Sequence, residues 1–194
     1  MKQNVAILLY DDAEVLDFAG PFEVFSVTSQ INDYQLFDVF TVAQMMDPIT
    51  AINGLSVNPT YDFVHCPPVH ILIIPGGDGS KQAILNQSLL SWVHEVHAGT
   101  AWTMSVCSGS RILGTLGILD GQPYCTHHEV YEAMHELTPF GLPQPDKRVV
   151  QAGSVFTSGG ISAGIDLSFH MVEMLHGKEI ASKTAKYMEY DWKG

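Results

Sequence analysis

Residues 103–114 read TMSVCSGSRILG, and the fold follows from how that stretch divides. The segment 101–106 (AWTMSV) reads as a strand, 108–119 (SGSRILGTLGIL) as a helix, and Cys107 stands at the joint. The pattern repeats outward. VAILLY (5–10) and HILII (70–74) are unbroken apolar runs, as expected of strands buried on both faces, and FDVFTVA (37–43) is a further strand. Helices are expected through GPFEVFSVTSQ (20–30), with Pro21 in the first turn, and over 87–98, 128–137, 162–177 (closed by Gly177) and 178–190. A hairpin or two short strands are expected within 49–63, around Asn53-Gly54, and a hairpin within 147–160, turning at Ala152-Gly153. Such alternation predicts an α/β three-layer sandwich, a mainly parallel sheet with helices on both faces. Its ligand crevice lies beyond the carboxyl ends of the strands, where 11–21, 75–79 and 107–109 converge.

Composition bounds the function. A chain of 194 residues, 46% hydrophobic and 15% charged, fits one globular domain over 1–194. A net charge of −12 disfavours nucleic acid and anionic membrane surfaces, whose recognition needs clustered Lys and Arg. No apolar run approaches the roughly 18 residues of a membrane span. The run Val5–Leu9 is also too short for the core of a signal peptide. Cys66, Cys107 and Cys125 lack the spacing of a disulfide framework, so a reducing cytoplasm is expected.

Ser105-Val106-Cys107-Ser108-Gly109 resembles in geometry the nucleophile elbow of serine hydrolases, where small neighbours let the side chain stand clear of the backbone. At a helix start, unpaired N–H groups would lower the thiol pKa. The competing reading is a buried space-filler, which is how Cys66 and Cys125 read. Gly76 and Gly77 end a buried strand and permit close backbone approach to a ligand, or make an ordinary turn. Gly159, Gly160 and Ile161 can form a pocket wall, or serve helix–strand packing. Asp17 lies between Leu16 and Phe18; on local residues alone it reads as a helix N-cap. The histidines lack the paired spacing of a zinc site, and the neighbours His127 and His128 are expected to diverge, so no metal and no cofactor are expected.

The blocks DFAGPFEVF (17–25), LIIPGGDG (72–79), MSVCSGSRILGTLGIL (104–119), THHE (126–129) and FTSGGISAGIDLS (156–168) resemble the ThiJ/PfpI superfamily, which shares its flavodoxin-like fold with class I glutamine amidotransferases. The resemblance spans nearly the whole chain. Within it, LDFAGP, SVCSGS and GGISAGID look most like isocyanide (isonitrile) hydratases, and similar blocks occur in the sensor half of AraC-type regulators. It implies a homodimer acting on a small molecule, with Cys107 as nucleophile and Asp17 as a carboxyl group reaching its sulfur. It also implies that the N–H groups of Gly77 and Ser108 line an anion site, with His127 nearby. Ser108 stands where the hydratases usually have Thr, and His128 where they have an aromatic residue. Peptidase members carry His after the nucleophile, and glyoxalase-type members carry Glu at the position of Asp17.

The chemistry so implied is hydration of an isocyanide to an N-substituted formamide through a thioimidate on Cys107, with Asp17 as acid and base. The rival expectations are a non-catalytic sensor domain and a glyoxalase or redox stress protein using the same cysteine. The sensor would need a DNA-binding partner, since the sequence stops at Gly194.

Overall fold

The computed structural model describes residues 2–194. In chain order the elements are β1 (Gln3–Leu8), α1 (Val15–Gln30), β2 (Phe37–Ala43), β3 (Ile49–Thr50), β4 (Ser56–Val57), β5 (Tyr61–Asp62) and β6 (Ile71–Ile74). There follow α2 (Ser80–Ala83), α3 (Gln87–Gly99), β7 (Trp102–Val106), α4 (Ser110–Thr115), β8 (Pro123–Tyr124), α5 (Tyr131–Leu137) and β9 (Leu142–Pro143). The chain closes with β10 (Val149–Ala152), β11 (Val155–Ser158), α6 (Ala163–His176) and α7 (Lys178–Tyr187).

Seven strands form one sheet in the order β10-β11-β7-β6-β1-β2-β5, parallel except for the β10–β11 hairpin. The register runs through β1 to both neighbours: Val5 lies opposite Val39 and Ile71, and Ile7 opposite Thr41 and Ile73. Helices cover both faces, so every side chain of β6 is buried, as are Val5 to Leu8 of β1. This is the α/β sandwich that the unbroken apolar runs require. The 49–57 hairpin turns through Asn53 and Gly54, both at positive φ, and α6 ends at Gly177 with φ 88°.

Helix bounds differ from expectation by more than one residue in four places: α5 begins at Tyr131 rather than 128, α7 ends at Tyr187 rather than 190, and α1 and α4 differ more. α1 begins at Val15, so Pro21 lies inside the helix rather than in its first turn. Lacking an N–H, Pro21 gives the Asp17 carbonyl no helical partner. α4 is also shorter than predicted: residues 107–109 form a 3₁₀ turn, and the helix proper is only Ser110–Thr115. α1, α6 and α7 pack against one another. The approach of α6 to the sheet is close: a Cβ on Gly164 would lie 2.9 Å from Val106 Cγ1. Part of the SGGISAGID block therefore serves helix–strand packing. No helix among the described residues is long and apolar enough to cross a membrane.

Strand β6 sits at the centre of the sheet and ends in the loop that frames Cys107. Leu72→Ala, which truncates a fully buried side chain, is expected to cost about 2–5 kcal/mol. Urea unfolding monitored by circular dichroism measures the loss.

Candidate active site

Cys107 has φ 57°, a left-handed conformation uncommon for a residue with a Cβ and worth about 1–3 kcal/mol of strain. Its neighbours hold it there. Its N–H donates to the Gly159 carbonyl (3.1 Å), at the end of the adjacent strand β11. Its carbonyl accepts from Thr126 Oγ1 (2.9 Å) and Ser110 Oγ (3.3 Å). The loop after β6 then closes onto the turn. A Cβ on Gly109 would lie 2.3 Å from the Ile74 carbonyl oxygen, and one on Gly76 would lie 2.5 Å from the Ser108 nitrogen. Only glycine fits at either position.

That approach also holds Asp17. Its carboxyl group is fully buried, and Oδ2 accepts from the Gly76 N–H at 2.8 Å. Oδ1 has no hydrogen-bond partner among the described residues. Asp17 therefore reaches across the crevice and does not cap its own helix, whose N-cap residue is Glu14. Burial pushes the Asp17 pKa from 3.8 up to about 7, against the opposing pull of the Gly76 N–H. Burial, then the charge of Asp17, pushes the Cys107 thiol up to about 12. The lowered thiol pKa expected from a helix start does not arise, because desolvation outweighs the N–H groups at a turn this short. The N–H groups of Ser108 and Ile161 favour the thiolate, and that of Ile161 favours the Asp17 carboxylate as well. Ile161 is itself left-handed, with φ 52°.

Cys107 opens into a cleft of about 340 Å³ that Gly77, Ser108, His127 and Ile161 also line. Of the residues singled out in the sequence, these share the cleft, while Asp17, Gly76 and Gly160 stand outside its lining. Gly76 supports Asp17. Gly160 seats the imidazole of His127, since a Cβ there would lie 2.2 Å from His127 Cδ2. The Gly77 N–H donates to Ser108 Oγ (2.9 Å), so the backbone donors near the sulfur are Ser108 and Ile161. His127 and His128 do not diverge as expected. A turn closed by the Val130 N–H to the His127 carbonyl (2.9 Å) brings their rings 4.3 Å apart, beside Glu129. The Glu129 N–H donates to His127 Nδ1 (3.3 Å), which occupies the lone pair a metal would need there. Cys66 and Cys125 lie away from the cleft, and burial raises both thiols.

The DJ-1/PfpI family model matches residues 3–174. The chain belongs to the DJ-1/PfpI family. Isonitrile hydratase of Pseudomonas putida is 33% identical over 192 residues, covering 98% of this chain and 79% of that protein. The HTH-type transcriptional regulator GbdR of Pseudomonas aeruginosa is 24% identical over 189 residues, and this DJ-1/PfpI chain spans 51% of the regulator's length. Among solved structures, a ThiJ/PfpI family protein from Pseudomonas syringae superposes with a TM-score of 0.88 at 30% identity, covering 100% of this chain and 77% of that one.

Sequence reasoning gave no site role to seven cleft residues of this DJ-1/PfpI chain: Glu14, Ile52, Asp78, Lys81, Arg111, Glu129 and Val130. A signal was present for Arg111, which follows Cys107 by four residues and so rises on the same side of the turn.

The raised Asp17 pKa fixes a pH dependence. The folded protein keeps a proton that the unfolded chain has released, so stability falls as pH rises from about 4 to about 7. Asp17→Asn removes that slope. Urea melts across this range are expected to show wild type losing stability relative to the variant, by about 1.4 kcal/mol for each pH unit between the unfolded and folded pKa. A constant difference between the two proteins would exclude a raised Asp17.

Proposed function

We propose that the chain is a cysteine-dependent hydratase that converts small isocyanides to N-substituted formamides. The observation that carries this reading is the buried Asp17 carboxyl group beside a strained, cleft-lining Cys107. The 33% identity to an isonitrile hydratase supports it.

An isocyanide, R–N≡C, must gain both a nucleophile and a proton at its terminal carbon. Asp17 is held up to about 7 and Cys107 up to about 12, so at neutral pH the carboxyl group is partly ionised while the sulfur keeps its proton. As sulfur bonds to the isocyanide carbon, the Asp17 carboxylate takes that proton and delivers it to the same carbon. A thioimidate results, with a carbon–nitrogen double bond. Water then adds to its carbon while Asp17 accepts a proton from water and passes it to nitrogen. The carbon–sulfur bond breaks with its electron pair returning to sulfur. The hydroxyl proton returns through Asp17 to the thiol as the formamide leaves. One water is consumed and both groups are restored.

The Ser108 and Ile161 N–H groups steady the sulfur while it carries charge. Their placement is preorganised, since the turn holds them before substrate arrives. Gly76 keeps the Asp17 carboxyl group aimed inward, and Gly77, His127, Gly160 and Ile161 shape the space around the substrate. The unit that acts is residues 1–194 as one domain, functioning as a homodimer in the cytoplasm. Its three free cysteines fit that compartment.

A second reading, a ligand-sensing domain, is favoured by the regulator that shares 24% identity over nearly the whole chain. A peroxide-sensing role fits less well, because such cysteines act as thiolates and this thiol is held protonated.

Formamide release from cyclohexyl isocyanide, followed by NMR, tests the proposal. Cys107→Ala is expected to abolish turnover, and Asp17→Asn to lower kcat by about 10²–10⁴-fold. Wild-type rates in either variant would defeat the mechanism. Binding without turnover in wild type would favour the sensor.

A further inference from the structure

The cleft beside Cys107 holds an arginine that enters no ion pair among the described residues. The chain has only two arginines. Arg148 pairs with Asp166. Arg111 is half-buried on the cleft wall and makes no ion pair among the described residues. Its only hydrogen bond there is from Nη1 to Ser80 Oγ, at 3.1 Å. A guanidinium carries five N–H donors in a planar fork, so four stand unclaimed by protein acceptors. Of the neighbouring acids, Asp78 is close enough for its charge to interact with Arg111, though the two form no ion pair among the described residues. Asp78 accepts from Lys81 Nζ at 2.8 Å. Glu129 stands beside His127 and His128, and the charge of Glu14 bears on Asp17.

Arg111 is also tied to the reacting end of the cleft. Ser80 Oγ lies 3.2 Å from Ser108 Oγ, and Ser108 Oγ accepts from the Gly77 N–H at 2.9 Å. Ser108 directly follows Cys107. Two serine hydroxyls thus link the guanidinium to the residue next to Cys107, and both Arg111 and Cys107 line the same cleft. A planar fork with free donors matches a carboxylate in two parallel hydrogen bonds, a match a lysine cannot make.

We propose that Arg111 binds a carboxylate on the substrate, so that the class of isocyanide turned over is the isocyano acids, whose hydration gives N-formyl amino acids. The inference rests on the hydratase reading for its chemistry, but the anchor itself does not require turnover. Arg111 places the substrate by its carboxylate while the isocyanide carbon meets Cys107. Binding energy drawn from a remote group orients the reacting one.

The test compares isocyanoacetate with its methyl ester. Wild type is expected to prefer the acid at least tenfold in kcat/KM. Arg111→Gln should bring that ratio near unity, chiefly through KM for the acid, and Arg111→Lys should restore part of it. Ser80→Ala removes the protein partner of Arg111 without removing the fork. The acid preference should persist in Ser80→Ala if the fork binds substrate. If Ser80→Ala instead loses it as Arg111→Gln does, Arg111 is a strut for the loop and the proposal fails. An acid preference unchanged in Arg111→Gln, or a wild-type preference for the ester, also overturns it. If neither compound is turned over, calorimetry with Cys107→Ala protein and N-formylglycine separates the two ideas. Binding weakened at least tenfold by Arg111→Gln upholds the anchor while the hydratase reading falls, and no binding sinks the anchor as well.

Discussion

The close approach of the loop after β6 to the turn after β7 is the constraint on which the site depends. With no Cβ on Gly76 or Gly109, backbone meets backbone at distances that any other residue would obstruct. Three consequences follow from that one contact. Cys107 is held in a left-handed conformation, and its side chain leaves the end of the sheet for the cleft. Ser108 is brought into hydrogen-bonding range of Gly77. The Gly76 N–H is turned toward Asp17, on the helix that follows β1. Neither parallel strand could deliver these groups alone, but β6 and β7 lie side by side, with Ile74 opposite Ser105.

The electrostatics follow from the same packing. A fully buried carboxyl group with one strong N–H partner and one oxygen left over is poorly compensated. It therefore holds its proton up to about pH 7, where an exposed aspartate would be ionised. The thiol beside it is disfavoured as a thiolate by burial and by that carboxylate. The pair shares what one proton can neutralise, and moving that proton between two adjacent groups needs no water. A thiol held protonated in this way differs from a cysteine that stands ionised and open to oxidants.

The architecture is legible in the sequence because apolar runs such as VAILLY and HILII admit few other readings, and because Asn53-Gly54 and Gly177 mark places where the backbone must turn. Asp17 and Cys107 emerge only through the resemblance of the surrounding blocks, since local rules favour an N-cap and leave the cysteine undecided. The differences have physical causes. Pro21 suggests a helix start because proline is favoured there, yet helix α1 is already under way at Val15. The thiol pKa moves opposite to expectation because the N–H groups at the turn are visible in sequence while the burial that outweighs them is not. Gly76 reads in sequence as a place of close backbone approach or an ordinary turn, and the partner its N–H takes, Asp17, is visible only in the fold. His127 and His128 would diverge on a regular element, and a turn brings them together instead.

Arg111 escapes a sequence reading for a related reason: its significance lies in what is missing around it. In a chain with 21 acidic residues against 9 basic ones, a cation can readily find a carboxylate. Several exposed cations here do so: Lys81 pairs with Asp78, Lys183 with Glu179 and Arg148 with Asp166, while Lys147, Lys178 and Lys186 make no ion pair among the described residues. These pairs lie at the surface, where ion pairing adds little to stability. A half-buried guanidinium on a cleft wall has given up part of its hydration, and a single serine hydroxyl replaces little of it. Folding alone gives no reason to leave that charge without an ion pair among the described residues, with only the nearby charge of Asp78 to offset it. An anionic ligand does, because the desolvation the arginine has already undergone need not be repeated when the ligand arrives.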